Sequence, residues 1–71
     1  MTTTTDEQTL TIRRTADGEG CEIVLFKPAG LNKGTTVLAT FCGGPLGRRL
    51  AGAAAESARR TLMIDCIDID L

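Results

Sequence analysis

The stretch Thr35-Thr36-Val37-Leu38-Ala39-Thr40-Phe41-Cys42-Gly43-Gly44-Pro45-Leu46-Gly47-Arg48-Arg49-Leu50 contains the change of period that sets the fold. Its first half, Thr35 to Cys42, is dense in β-branched and apolar residues and reads as a strand. Gly43-Gly44-Pro45 then breaks the chain. Pro45 suits the first turn of a helix, where its missing N–H would lack a partner anyway. From Leu46 to Arg60 the spacing is helical, with Leu46, Leu50, Ala53, Ala54, Ser57 and Ala58 recurring at three and four residues. The stripe is mostly alanine with Gly52 nearby, so the helix is expected to lie unusually close to the surface it covers. Arg49, Glu56, Arg59 and Arg60 fall on the wet face, and the last two suit the negative end of the helix dipole.

Toward the N-terminus the period is that of strands. Leu10 and Ile12 alternate with Thr9, Thr11 and Arg13 between Gln8 and Arg14, as in a half-buried strand. Thr15 to Gly20 contains Asp17-Gly18, which supplies the positive φ of a hairpin turn. Cys21 to Lys27 is the next strand, with Cys21, Ile23 and Leu25 on one face and Val24 and Phe26 on the other. Pro28 to Gly34 is a longer turn. These three strands predict an antiparallel meander. Residues 1–7, a threonine run ending in two acids, read as a flexible tail with nothing to bury.

Toward the C-terminus, Thr61 to Leu71 predicts a fourth strand whose period is split. Leu62, Ile64 and Cys66 share one parity, and Ile67, Ile69 and Leu71 share the other. A one-residue slip reverses every side chain, so either a β-bulge near Cys66-Ile67, bringing Asp65, Asp68 and Asp70 to one outer face, or a strand buried on both faces for part of its length is expected. The prediction is one α+β domain over residues 8–71 in the order β-β-β-α-β, with the alanine-rich helix packed on the sheet. The expected core is Leu10, Ile12, Ile23, Leu25, Val37, Ala39, Phe41, Leu46, Leu50, Ala54, Leu62 and Ile64, with Leu38 and Cys42 as the other choice of parity in the third strand.

Composition narrows the functions. Seventy-one residues with a net charge of −1 argue against direct nucleic-acid binding through backbone electrostatics. No apolar run approaches the roughly 18–20 residues that span a bilayer, so no membrane segment is expected. The opening residues have neither a basic nor an apolar region of an export signal, and three cysteines are an odd number for a disulfide framework. A cytoplasmic protein with three buried structural thiols is expected. There is no histidine to activate a nucleophile and no close cysteine pair to hold zinc. The chain is therefore expected to be neither an enzyme nor a holder of a metal or cofactor.

Cys42-Gly43-Gly44-Pro45-Leu46-Gly47, between a strand and a helix, resembles the G-x-G-x-x-G fingerprint of Rossmann-type flavin and nicotinamide enzymes. Gly44 and Gly47 take the second and third glycine positions, Cys42 takes the first, and Asp65 lies where the ribose-binding acid would be expected. The resemblance covers residues 35–68 and implies a nucleotide- or phosphate-binding alternative built on Gly43, Gly44 and Gly47. Arg48 and Arg49, in the first turn, would add charge to that anion site.

The leading expectation is binding to a protein. Asp65, Asp68 and Asp70 give the last seven residues three acids and no base, a pattern that suits a basic groove on a larger partner. Arg48 and Arg49 are the other expected partner contacts, since arginine is enriched at interfaces. In size, α/β layout, slight acidity and lack of catalytic residues, the chain is similar in format to the small inhibitors of phages and mobile elements, anti-CRISPR proteins among them. That likeness implies an inhibitor that occludes a surface of a host protein or ribonucleoprotein complex. The apolar second face of Cys21–Lys27 further suggests a homodimer or, as a third alternative, a self-associating structural protein.

Overall fold

Alternation in the first two strands builds the centre of the molecule. A computed structural model describes residues 8–28 and 33–71. The expected tail at 1–7 and part of the turn at 28–34 lie outside the described residues. Strands β1 (Thr9–Arg14) and β2 (Gly20–Lys27) pair antiparallel, β2 pairs antiparallel with β3 (Gly34–Cys42), and α1 (Gly44–Leu62) leads to β4 (Ile67–Asp70). The fourth strand joins parallel to β1, giving a mixed sheet in the order β3-β2-β1-β4. Strands β3 and β4 thus run in the same direction on opposite edges, and α1 carries the chain across β2 and β1 between them. No helix among the described residues is long and apolar enough to cross a membrane.

The β1–β2 hairpin turns where Asp-Gly was expected. Gly18 has φ of 75°, a region that L side chains occupy with strain. Asp17 closes the loop: its carboxylate accepts the Thr15 hydroxyl at 2.6 Å and the Glu19 backbone N–H at 2.9 Å. Those two bonds, the Thr15 one foremost, hold its pKa below the usual carboxylate value.

One helix-facing cluster forms the core: Leu10 and Ile12 from β1, Cys21, Ile23 and Leu25 from β2, and Ala51 and Ala55 from α1. Ala39, Phe41, Ala54, Leu62 and Ile64 pack against it while only partly buried. Leu46 and Leu50 do not: they are exposed, because the buried helical stripe is Gly47, Ala51 and Ala55, one residue further on. The smallest side chains face the sheet, and backbone is in touch with backbone. A Cβ at Gly47 would run into the Cys42 carbonyl. Close approach lets the sheet's isoleucines and leucines meet the helix axis directly, which two intervening leucines would prevent. Small residues do face the sheet, on a stripe one position further along than expected.

Val37 also departs from expectation, and the cause is a bulge in β3. Ile23 lies opposite Ala39, but its neighbour Val24 lies opposite Val37, leaving Leu38 as the extra residue. Ala39 and Phe41 keep the helix side, while Val37 turns to the outer face beside Val24. On that outer face Val24 is only 5 % exposed, while Phe26 is 45 % exposed. Cys42 and Cys66 are exposed, against the expectation of three buried thiols; Cys21 alone is buried, its thiol donating to the Gly47 carbonyl at 3.7 Å.

The split period after Arg60 resolves without a bulge. Thr61 and Leu62 belong to the helix, which ends at Met63 in the left-handed region with φ of 60°. The Met63 N–H donates to the Arg60 carbonyl and the Ile64 N–H to the Arg59 carbonyl, the paired closure of a Schellman motif. Only four residues then form the strand. The parity change sits in the connection, where a helix end imposes no alternation.

Candidate functional site

Two small clefts lie at opposite ends of α1. At its C-terminal end a cleft of about 320 Å³ is lined by Gln8, Thr9, Leu62, Asp65 and Asp68 among others. At its N-terminal end a cleft of about 190 Å³ is lined by Arg14, Gly43, Gly44, Arg48 and Leu71 among others. A helix of nineteen residues is about 28 Å long at ~1.5 Å per residue, so the two do not communicate.

That separation takes apart the expected dinucleotide arrangement. Asp65 precedes β4, at the helix's far end from the glycines, and has no reach to a nucleotide seated on Gly43 and Gly44. In addition β2 and β1 lie between β3 and β4. The glycines have local reasons of their own. Gly44 holds φ of 78°, Gly47 touches the Cys42 backbone, and a Cβ at Gly43 would meet the Glu19 carbonyl.

The N-terminal cleft gathers positively charged groups. The helix start has no side-chain cap and no acid in its first turn, leaving its N–H groups open. Arg48 lines the cleft; Arg49, one residue on, does not. Arg14 does, brought in from β1, and its guanidinium donates to the Leu71 carbonyl at 3.0 Å. Sequence reasoning missed Arg14. The signal was present in the alternation, which sends Arg14 to the same face as Leu10 and Ile12 and so toward the helix.

The three aspartates are only partly gathered. Asp68 and Asp70 stand exposed on β4, in register with Thr11 and Arg13 of β1 and hence on the sheet's outer face. Asp65 lies in the connection before the strand, where its charge acts on Arg59. A single outer row of Asp65, Asp68 and Asp70 is therefore not formed, because the bulge that would have made it is absent. Neither Asp68 nor Asp70 has an ion-pair partner among the described residues, since Arg13 is engaged by Glu22 across β1–β2 at 2.8 Å.

The other ionic contacts brace the helix end. Glu56 accepts from Arg59 at 2.6 Å and from Arg60 at 3.2 Å, and Arg59 also donates to the Ile64 carbonyl at 3.0 Å. Hydrogen bonding from Arg59 chiefly, then from Arg60, lowers the Glu56 pKa to about 2. The same pairing raises that of Arg59. Among the described residues no three His, Cys, Asp or Glu side chains are grouped to hold a metal ion.

Comparison with family models, with curated proteins and with solved structures finds no match to this chain.

Proposed function

We propose that the protein is a non-enzymatic binding protein that docks its β4 edge on a basic surface of a larger host complex and blocks it. The observation that carries this reading is the pair Asp68 and Asp70, exposed together on the outer face of an edge strand without an ion-pair partner among the described residues. Asp65 extends the acidic end around the strand's start. A carboxylate pair on a short rigid strand can occupy phosphate positions in a nucleic-acid-binding groove, where complementary charge sets encounter rate and register. A host ribonucleoprotein of the kind blocked by anti-CRISPR inhibitors is the partner this favours, met in a reducing cytoplasm where the three thiols stay free. Capture from host lysate, with the bound protein identified by mass spectrometry, tests the reading. Changing Asp65, Asp68 and Asp70 together to Asn should weaken capture of a basic protein and flatten its salt dependence, because such attraction is screened within about 8–10 Å at physiological salt. Unchanged capture by the triple variant sinks the acidic-edge mechanism.

A second reading, phosphate binding at the helix N-terminus, is favoured by one observation: Arg14 and Arg48, from different elements, line the same cleft as Gly43 and Gly44. Anions gain there from open N–H groups and from the helix dipole. Thermal stability should then rise with added inorganic phosphate or nucleotide, and the rise should vanish in the Arg14→Ala, Arg48→Ala double variant but survive Arg49→Ala. No rise in the wild type removes this reading.

A further inference from the structure

Edge strands expose unpaired N–H and C=O groups, and proteins ordinarily protect them with shortness, charge, proline or bulges. The β4 edge is protected twice, being four residues long and bearing Asp68 and Asp70. The β3 edge is nine residues long and has no charge and no proline, with the single bulge at Leu38 as its only irregularity. The uncharged run continues past the strand, from Gly34 through Gly47. Val37 and Leu38 are 48 % and 42 % exposed along this edge.

The helix adds to the same side. Arg48 flanks the buried stripe on the side of Arg14 and Leu71, which is the β1–β4 side. Leu46 and Leu50 each precede a buried residue, Gly47 and Ala51, so at about 100° per residue they flank the stripe on the other side, toward β3. They are 63 % and 47 % exposed. An uncharged strand edge roofed by two leucines is an unfinished sheet.

We infer that β3 pairs antiparallel with β3 of a second copy about a two-fold axis, joining two four-stranded sheets into one of eight. The Leu46 and Leu50 pairs of the two helices are brought together above the junction. Three features of the chain select a second copy as the occupant. The edge is free of charge, and so is the identical edge it meets, so no carboxylate or ammonium is stranded at the seam. An isologous two-fold contact closes on itself, and the edges left over are the two β4 strands, whose length and aspartates oppose further pairing, so assembly stops at two. Finally, a chain of this size gains little net stability from one core. Here two of the seven residues in the buried cluster are alanines, so apolar burial at the seam adds where the monomer has least. The inference uses no residue of the acidic edge, and the two proposals fail separately; together they describe a dimer that presents an acidic edge at each end.

Sedimentation of the full chain at about 100 µM should give twice the 7.5 kDa chain mass. Leu38→Lys, and separately Thr40→Lys, should give one chain mass with unchanged far-ultraviolet circular dichroism, whereas the Asp68→Asn, Asp70→Asn variant should remain dimeric. Two substitutions on the same edge guard against one that only misfolds. Amide exchange provides an independent reading: protons of 35–42 should slow as concentration rises, while those of 67–70 should not. A wild-type mass of one chain overturns the inference, as does a dimer that survives both lysine variants while folded. So does a monomer whose 35–42 amides slow only on adding another protein, which would make the edge a site for a foreign strand.

Discussion

The two edges of the sheet are held by opposite means. Strand β3 is long, hydrogen-bonded along β2, and touched by backbone at Gly47, yet among the described residues no strand pairs with its outer edge. Strand β4 is short and acidic, protected against pairing, and attached through four residues of β1, the helix end that leads into it and the Arg14 bond to Leu71. Secure attachment and edge protection are thus separated between the two sides. Long, uncharged strands bind well to their own sheet for the same reason that they invite another, and charge that repels a stranger also weakens a strand's own seat.

Substitutions on each side can break the contrast. Leu10→Ala should have the largest effect. Leu10 is fully buried and lies between Leu25 of β2 and Ile67 of β4, so its loss undermines the β4 side first. A cost of ~2–5 kcal/mol is typical for such a truncation, comparable to the whole stability of a small domain. Chemical denaturation should show a chain that is largely unfolded or close to it; a loss below ~1 kcal/mol would mean that β4 does not depend on this contact.

Gly47→Ala acts on the β3 side and should come next. The added methyl meets the Cys42 carbonyl, so the helix must lift from the sheet, at an expected net loss of ~1–3 kcal/mol. Gly52→Ala is the matched control, since a Cβ there has no neighbour within 4 Å. In that position the change should stabilise by ~0.5–1 kcal/mol, the ordinary helix advantage of alanine over glycine. Melting curves of the pair should move in opposite directions, and a shared direction would contradict the close packing.

Met63→Gly strengthens the β4 tether. Met63 is 87 % exposed and occupies the left-handed region, so glycine relieves steric cost while removing almost no burial. A gain of about 0.5–1 kcal/mol is expected in the melting temperature and in slower exchange of the β4 amides. Failure of the β4 amides to respond would show that the helix cap and the strand open independently.

Glu56→Gln should be the smallest effect, visible only as a pH dependence. The folded-state pKa of Glu56 is lowered from 4.5 to about 2, so its contribution is present above pH 4.5 and lost as pH falls toward 2. The wild type should therefore lose more stability than the variant across that window, and the two should converge near its lower end. Because the pair is exposed and salt-screened, the difference should also shrink at high ionic strength. Parallel acid profiles would remove Glu56 as a brace of the helix end.

Much of this was legible in the chain. The alternation of Leu10 and Ile12, the Asp17-Gly18 turn, the break at Gly43-Gly44-Pro45 and the helical spacing that follows it act within a few residues, and the first three strands and the helix start form where the local pattern places them. The candidate site was less legible. Arg14 joins Arg48 only because β1 passes beneath the helix start, and Asp65, though it lines one cleft with Asp68, falls outside the strand because the helix runs two residues beyond Arg60. Neither fact lies in a window of neighbouring residues.

By itself, then, the sequence determined the number, kind and order of the elements, since period, glycine conformation and capping are local. Only the tertiary structure decided which helical face was buried, because backbone contact at Gly47 outweighed burial of Leu46 and Leu50. It also decided that Leu38 bulges, turning Val37 away from the core, and that β4 seats beside β1 rather than β3. Those choices depend on how elements distant in the chain fit together, and packing geometry carries no period that a single strand or helix can display.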